Sequence, residues 1–220
     1  MKKFAVILSG SGVFDGAEIH EATLSMYAIK KQGADYGVFA PDIMQHHVIN
    51  HITGEEMPEA RNVLVESARI ARGKIQPLSK FNPAEFDALL FPGGFGAAKN
   101  LSTFAFDGPD CKVNADVEKA VMQIHNAGKP IGALCIAPVL LAKILGKGQL
   151  TIGQDKGTAG AIEKLGATHK NTGHGEVVFD KENKLFTTPC YMLDANIAQI
   201  GDGAENIVKA MLEYLGSRGL

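Results

Sequence analysis

The chain has 220 residues, of which 45% are apolar, 21% are charged and three are cysteine. These fractions are typical of globular proteins and exclude the collagenous, disordered and disulfide-scaffold classes. The formal net charge is −2 and no run of lysine and arginine occurs, so no positive field is available for a phosphate backbone and we expect no nucleic-acid partner.

Membrane and cofactor partners are also not expected. The apolar run at residues 4–8 is too short for a signal peptide, and nowhere do about 18 apolar residues run together. Cys111, Cys135 and Cys190 are odd in number and widely spaced, which fits neither a disulfide framework nor pairs of zinc ligands. We therefore predict a cytoplasmic location, at least one free thiol, and no metal or other cofactor.

Short apolar runs alternate with helical patterns along the chain. Continuous apolar runs are typical of parallel strands covered on both faces, so the alternation predicts an α/β fold. The first helix ends before Gly33, and no repeat or linker is present, which predicts a single domain over residues 1–220. The predicted strands span residues 4–8, 36–40, 88–91 and 130–134, with a hairpin of residues 176–179 and 184–188. The other predicted helices span residues 58–72, 114–126, 136–145 and 194–215, the last with a possible break at residues 201–203.

Capping residues define the expected starts and ends of the first two helices. Asp15 is predicted to cap the first helix, with Glu18 three residues later as its partner in an acidic variant of the capping box. Gly33 is predicted to end that helix. Pro58, at a first helical position, opens the next helix, and Gly73 closes it.

The strongest local signal lies at residues 130–138, where a buried strand runs directly into a helix with Cys135 at the turn. This is the sequence context of a nucleophile elbow. A sulfur at a helix N-terminus faces backbone N–H groups and the positive end of the helix dipole, and both lower a thiol pKa. The alternative is a small buried cysteine that only fills space, and the spacing leaves both interpretations open.

A glycine-rich turn at residues 92–96 follows another apolar strand. Main-chain N–H groups at such a turn can point into the crevice beyond the strand ends, where they could hold the oxyanion formed when Cys135 attacks a carbonyl. The alternative is a phosphate-binding turn for a dinucleotide. It is weak, because Gly10, Gly12 and Gly16 miss the G-x-G-x-x-G spacing by one residue.

Glu18 and Glu21 lie three residues apart and share a face near the N-terminus of the first helix. The role of Glu18 as the predicted capping partner of Asp15 is enough to explain an acidic residue at that position. If the carboxyl of Glu21 is buried, its pKa is raised, and it could stay protonated and hydrogen-bond a thiolate. An exposed helix glutamate is the simpler alternative.

Three segments together resemble the class I glutamine amidotransferase-like superfamily, which includes the PfpI proteases and the glyoxalase III-type enzymes. They are residues 16–21 (GAEIHE), 92–101 (PGGFGAAKNL) and 134–138 (LCIAP). Within this superfamily the chain is most similar to the ElbB group, bacterial proteins named for isoprenoid biosynthesis and associated with weak glyoxalase activity. The similarity covers nearly the whole chain. It implies a flavodoxin-like three-layer sandwich, with a largely parallel sheet flanked by helices, and a homodimer.

The resemblance also implies functional residues and an activity. The elbow nucleophile corresponds to Cys135, the carboxyl that contacts it to Glu21, and the oxyanion donors to the backbone N–H groups of Gly94 and Ile136. The implied activity is glutathione-independent conversion of a small dicarbonyl substrate, glyoxal or methylglyoxal, to a hydroxy acid. A redox-sensing or ligand-binding thiol with negligible turnover is the alternative.

The chain departs from the superfamily pattern in its histidines. Protease-like members carry a histidine directly after the cysteine, where this chain has Ile136, and glyoxalase-like members carry one on a later loop, where it has Gly153. His20, beside Glu21, and His174, on a loop between glycines, remain as candidates for an acid/base, although a structural role is the simpler explanation for each. Without the usual histidine we expect slow turnover, and amide transfer or hydrolysis is a weaker alternative.

The two other cysteines are not expected to take part in the chemistry. Cys111 is predicted to be an exposed loop thiol. Cys190, between Pro189 and Tyr191, either borders the site or fills a loop. Neither is close enough to Cys135 in sequence to predict a redox pair.

Overall fold

The structure is a computed structural model that describes residues 1–217. Nine strands occur in this part of the chain: β1 (Lys3–Ile7), β2 (Asp35–Ala40), β3 (Gln76–Pro77), β4 (Ala88–Phe91), β5 (Ile131–Leu134), β6 (Gln149–Leu150), β7 (Thr168–His169), β8 (Val178–Asp180) and β9 (Leu185–Thr188). Seven of them form one sheet in the order β3-β2-β1-β4-β5-β9-β8. All neighbours in this sheet are parallel except β8 and β9, which form the predicted antiparallel hairpin. Strands β6 and β7 pair separately.

Helices cover both faces of the sheet. Those described are α1 (Ile19–Lys31), α2 (Val63–Ile70), α3 (Phe95–Lys99), α4 (Phe104–Asp107), α5 (Ala115–Asn126), α6 (Pro138–Leu145), α7 (Lys156–Lys164) and α8 (Ile197–Ser217). Helices α1 and α8 pack against one face, and α5 and α6 pack against the other. The predicted three-layer α/β sandwich with a largely parallel sheet is confirmed.

The apolar runs of the sequence form strands that are buried on both faces. In β1, Phe4 and Val6 pack with α1 and α8, whereas Ala5 and Ile7 pack with α5 and α6. This alternation is the period of two expected of a strand. Because both faces of β1 are covered by helices, both sets of side chains must be apolar, and the run is continuous.

The strand order indicates where a ligand crevice is expected. From β1 the chain moves outward to β2 and β3, and it then returns to add β4 and β5 on the other side of β1. In open α/β sheets, ligands bind beyond the carboxyl ends of the strands at such a reversal. The glycine-rich turn follows β4 and Cys135 follows β5, so both predicted site segments lie at this edge.

The first helix begins later than predicted. Glu18, not Asp15, is its N-cap: Glu18 Oε2 accepts a hydrogen bond from the backbone N–H of Glu21 at 2.7 Å. Asp15 is buried and accepts a hydrogen bond from the backbone N–H of Ile49 at 2.7 Å instead. The Asp15 carboxyl therefore anchors the loop that follows β2, a tertiary role that a local capping pattern does not reveal.

The second helix also begins later, at Val63 and not at Pro58. Its N-cap is Asn62, whose Oδ1 accepts from the backbone N–H of Val65 at 3.0 Å. Asn62 Nδ2 in turn donates to Asp42 at 2.8 Å. These contacts fix the helix start beside the end of β2, and residues 58–61 belong to the preceding loop.

The two remaining differences concern α6 and α8. Helix α6 begins at Pro138, two residues after the expected start. Helix α8 runs unbroken for 21 residues through residues 201–203, so the break that the glycines of this segment allow does not occur. A Cβ on Gly203 would lie 3.0 Å from Cys190 Sγ, so this glycine lets the helix lie close to the chain after β9. Within residues 1–217, no helix combines the length and apolar character needed to cross a membrane.

Candidate active site

Cys135 lies at a sharp turn between β5 and α6. Its φ is +59°, in the left-handed region that a residue other than glycine rarely adopts. Its backbone N–H donates to the carbonyl of Thr188 at 3.0 Å, which ties the turn to the end of β9. The side chain is 7% exposed. This is the elbow geometry that the sequence predicts, and such strained positions concentrate at functional sites.

Glu21 reaches the same point from the first turn of α1. Its side chain has no solvent exposure. Oε2 accepts from the backbone N–H of Gly93 at 2.8 Å, Oε1 accepts from that of Tyr191 at 3.2 Å, and the carboxyl is in hydrogen-bond contact with Cys135. The structure thus brings together the cysteine and the carboxyl that the sequence singles out, and the exposed-glutamate alternative is wrong.

The Glu21 carboxyl is hard to ionise. Burial raises its pKa from 4.5 to about 8, and the negative charge of nearby Glu18 adds to the rise. The N–H groups of Tyr191 and Gly93 oppose it by donating to the carboxylate. At neutral pH Glu21 is therefore mostly protonated, as expected of a carboxyl enclosed in a protein interior.

The thiol of Cys135 is also hard to ionise. Burial raises its pKa well above the ordinary value, and the charge of an ionised Glu21 raises it further. The backbone N–H groups of Gly94 and Ile136 contact the sulfur and oppose this rise. The expected lowering of the thiol pKa at the helix N-terminus is therefore wrong in its net direction, because burial and the carboxylate outweigh these donors.

Two glycines make this close approach possible. A Cβ on Gly93 would overlap the Cβ of Cys135 and lie 2.7 Å from Glu21 Oε2. Gly94 has a φ of +94°, and a Cβ there would overlap the backbone nitrogen of Glu18. The glycine-rich turn therefore allows the loop after β4 to pass between α1 and the elbow, with the N–H of Gly94 directed at the sulfur.

A cavity of about 310 Å³ opens at Cys135. Most of its lining is apolar, and two polar side chains, Thr158 and Tyr191, also border it. Within residues 1–217, no histidine lines this cavity. The lining residues are Val13, Gly94, Phe95, Ala98, Phe104, Ala105, Cys135, Ile136, Thr158, Tyr191 and Met192.

The two candidate histidines differ in their relation to the cavity. His20 is exposed, and its Nδ1 lies 2.7 Å from the hydroxyl oxygen of Tyr191, so it is linked to the cavity through that side chain. His174 is exposed on a turn near α8, where the carbonyl of neighbouring Gly175 accepts from Asn206 at 2.8 Å. The structure therefore brings His20 to the rim of the site and leaves His174 outside it.

The other cysteines are both buried and, like Cys135, free. Cys111 is 2% exposed, so the expectation of an exposed loop thiol is wrong, and burial raises its pKa. Its backbone N–H donates to the carbonyl of Gly108 at 3.1 Å and closes a short helical turn. Cys190 borders the site, because the backbone N–H of the next residue, Tyr191, donates to Glu21. Burial raises the pKa of the Cys190 thiol, and the charges of Glu21, Cys135 and Glu18 add to the rise.

Tyr191 is the site residue that the sequence analysis missed. Its backbone N–H donates to Glu21, its hydroxyl contacts His20, and it lines the cavity. It follows β9, the strand that pairs with β5, so its position at the carboxyl edge of the sheet would have pointed to it. The described residues contain no group of three or more histidine, cysteine or acidic side chains that could hold a metal ion.

Comparison with known proteins identifies relatives over nearly the whole chain. The model of the DJ-1/PfpI family matches residues 12–188. The rat protein named "ES1 protein homolog, mitochondrial" is 49% identical over 224 residues, which cover 97% of this chain and 84% of the relative. The human "Glutamine amidotransferase-like class 1 domain-containing protein 3, mitochondrial" matches with the same identity and coverage.

A solved structure agrees with the fold over its full length. It is the crystal structure of an isoprenoid biosynthesis protein with an amidotransferase-like domain from Ehrlichia chaffeensis, with a TM-score of 0.92 and 37% sequence identity. The match covers 98% of this chain and 100% of that one. The names of both mammalian relatives place them in mitochondria, so the cytoplasmic location stays a prediction. The resemblance drawn from the three sequence segments is confirmed, and the chain belongs to the DJ-1/PfpI family.

Proposed function

We propose that this protein is a cysteine-dependent, glutathione-independent glyoxalase-like enzyme that converts glyoxal or methylglyoxal to the corresponding hydroxy acid. The observation that carries the proposal is the contact between the buried Glu21 carboxyl, with its pKa of about 8, and Cys135 at the end of a cavity. A general base is most effective when its pKa lies near the operating pH. Glu21 meets this condition, whereas an ordinary carboxyl does not.

The first step is addition of the thiol to the aldehyde. In molecules whose Glu21 is ionised, the carboxylate removes the thiol proton while Sγ of Cys135 forms a bond to the aldehyde carbon. The electron pair of the carbonyl moves to its oxygen, which the N–H groups of Gly94 and Ile136 stabilise. Glu21 returns the proton to that oxygen, and the product is a neutral hemithioacetal.

The second step is an internal oxidation and reduction. Glu21 removes the proton from the former aldehyde carbon, and the hydroxyl proton of that carbon passes to the adjacent carbonyl oxygen, which gives an enediolate. Glu21 then returns its proton to the adjacent carbon while the C–O bond at the sulfur becomes a carbonyl, and the product is a thioester of a 2-hydroxy acid. Water then cleaves the thioester, so the acid leaves and the thiol is restored. One carbon is oxidised and its neighbour is reduced, so the balance needs one water and no external oxidant or cofactor.

The proposal includes slow turnover. Positioned acid/base groups typically contribute 10²- to 10⁴-fold in rate each, and here one carboxyl moves every proton. The further polar side chains in the described lining of the cavity are Thr158 and Tyr191, and the hydroxyl of Tyr191 contacts His20. We therefore expect a lower rate than in enzymes with a histidine beside the cysteine.

The test is formation of lactate from methylglyoxal without glutathione. The wild-type protein is compared with Cys135→Ala and with Cys111→Ala, a matched control because both thiols are free and buried. We expect lactate from the wild type and from Cys111→Ala, and none from Cys135→Ala. Equal rates for all three proteins, or no lactate from any, would contradict the proposal.

A second candidate function is a redox-sensing thiol at Cys135. It is favoured by the two N–H donors at the sulfur, which would stabilise an oxidised, charged form, and by the lack of a histidine among the described residues of the cavity lining. The raised thiol pKa opposes it, because oxidation by peroxide follows thiolate character. Mass spectrometry after mild peroxide treatment tests this function. A redox sensor should be oxidised at Cys135 before Cys111 and Cys190, and an unmodified Cys135 would exclude the sensor function.

A further inference from the structure

The cavity beside Cys135 is larger than methylglyoxal requires. At about 30 Å³ for each water, its volume of about 310 Å³ has room for about ten water molecules. Methylglyoxal has five non-hydrogen atoms, so at about one water volume for each it would occupy at most about half of that space, and the remainder would hold water against apolar side chains. A substrate that fills the cavity must carry a larger group.

The lining determines what kind of group fits. The walls are formed chiefly by seven apolar side chains, those of Val13, Phe95, Ala98, Phe104, Ala105, Ile136 and Met192. No charged side chain lines the cavity within the described residues. Its two polar side chains are Thr158 and Tyr191, and the Tyr191 hydroxyl is already in contact with His20. The cavity therefore suits an apolar substituent and offers few partners to the hydroxyl groups of a sugar.

We propose that the preferred substrate is an α-oxoaldehyde whose ketone carbon carries an alkyl or aryl group of about six carbons. This inference rests on the proposed function, since the aldehyde carbon must reach Cys135. With that carbon at the sulfur and its oxygen at the N–H groups of Gly94 and Ile136, the substituent lies against Phe95 and Phe104. The chemistry is unchanged: the aldehyde carbon is oxidised, the ketone carbon is reduced and one water is consumed.

The expected selectivity follows from the apolar area that the larger group removes from water. One added methylene in a hydrophobic pocket is worth about 10- to 200-fold in discrimination. A phenyl group in place of a methyl group should therefore improve affinity by at least about tenfold. Lactate and mandelate, the hydroxy acids formed from methylglyoxal and phenylglyoxal, differ by this replacement alone.

The experiment measures binding of these two acids to the intact protein by calorimetry, because binding does not depend on turnover. Mandelate is expected to bind at least about tenfold more tightly than lactate. The variant Ala105→Phe, on the exposed side of α4, adds a ring to the cavity lining and should remove this preference. The control Asp107→Phe adds the same ring to α4 outside the lining and should keep the preference.

The outcomes separate this inference from the function on which it rests. Equal affinities, no mandelate binding, or a preference that survives in Ala105→Phe would overturn the substrate class. If methylglyoxal is turned over and mandelate does not bind more tightly than lactate, the proposed glyoxalase-like activity is supported and the inferred substrate class is wrong. If mandelate is preferred and neither aldehyde is turned over, the cavity has been assigned correctly and the proposed activity is wrong.

Discussion

Cys135 and Glu21 form a single ionisable unit, because each is buried and each lies in the field of the other. Burial raises the pKa of both groups, and the charge of ionised Glu21 further raises the pKa of the thiol. The pair therefore keeps its protons at neutral pH and loses the first of them from Glu21 near pH 8. A carboxyl that titrates near neutrality can both accept and return a proton, which the proposed reaction requires at each step.

The burial of Glu21 carries a stability cost that depends on pH. Its pKa rises from 4.5 to about 8, so the folded protein binds this proton more tightly than the unfolded chain does. The associated stability is fully present below pH 4.5 and is lost as the pH rises to about 8. The variant Glu21→Gln keeps the shape of the side chain without the charge. We predict that the free energy of unfolding of this variant, measured relative to wild type, is up to about 5 kcal/mol larger at pH 9 than at pH 4.

Urea unfolding of both proteins at pH 4 and pH 9 measures this difference. If the free energies of unfolding of the variant and of the wild type change in parallel between the two pH values, Glu21 does not titrate in the folded protein near pH 8.

Glu21 itself was predictable from the sequence, through its place on the first helix and through the resemblance. Its contact with Tyr191, which lies 170 residues away, was not, because it depends on where β9 enters the sheet.

The glycine-rich turn after β4 sets the distance between the two reactive side chains. A Cβ on Gly93 would overlap Cys135 and press on the carboxyl of Glu21. We predict that Gly93→Ala lowers the free energy of unfolding by about 1–3 kcal/mol, as overpacking typically does. The substitution should also remove activity, because it separates Cys135 from Glu21. Thermal unfolding and the lactate assay measure the two effects.

The matched control for that substitution is Gly160→Ala. Gly160 lies within α7, and a Cβ there would meet nothing within 4 Å. Because alanine is a better helix former than glycine, the free energy of unfolding of this variant should rise by about 0.5–1 kcal/mol, and its activity should be unchanged. If both variants destabilise the protein equally, the tight packing at Gly93 is not the cause.

The start of α2 shows why local patterns misplaced several helix boundaries. Proline at a first helical position predicted a start at Pro58, yet Asn62 makes the capping hydrogen bond and is itself held by Asp42. Likewise, Asp15 has the right residue type for a cap, but its carboxyl is used by Ile49. The strands were easier to predict, since a strand buried on both faces must be apolar at every position.

The observed cap is tested by a pair of substitutions. We predict that Asn62→Ala lowers the free energy of unfolding by about 1 kcal/mol, the usual cost of losing an N-cap side chain. Pro58→Ala, in the exposed loop before the helix, should change it by less than about 0.5 kcal/mol. Chemical denaturation measures both, and a larger loss at Pro58 than at Asn62 would mean that the helix begins where the sequence pattern placed it.

The arrangement of the whole molecule follows from a small number of sequence signals. Alternation of apolar runs and helical patterns predicted the layers, and the strand reversal at β1 and β4 explains why the glycine-rich turn and the elbow meet. The lining of the cavity was not predictable in the same way. Phe104 lies between residues 96 and 114, where the sequence predicts no element, and Met192 follows β9, so their meeting depends on the complete fold.

The homodimer implied by the resemblance is a prediction for the assembled protein. Phe14 and Phe95, which border one surface cavity, are 38% and 48% exposed, so two neighbouring aromatic rings remain partly uncovered in the single chain. A contiguous exposed apolar patch is typical of a surface that contacts another protein chain. We predict that sedimentation gives twice the 23.4 kDa of one chain. A single species of 23.4 kDa at micromolar concentration would contradict it.

The pH dependence of kcat/KM for methylglyoxal tests whether Glu21 is the base that serves Cys135. Because the ionised carboxyl is the active form, kcat/KM of the wild type should rise with pH and level off above an apparent pKa of about 8. In Glu21→Gln this rise should be absent, and the rate should fall by about 10²- to 10⁴-fold. A wild-type profile that is flat between pH 6 and 9, or a Glu21→Gln variant with the wild-type profile, would contradict the account.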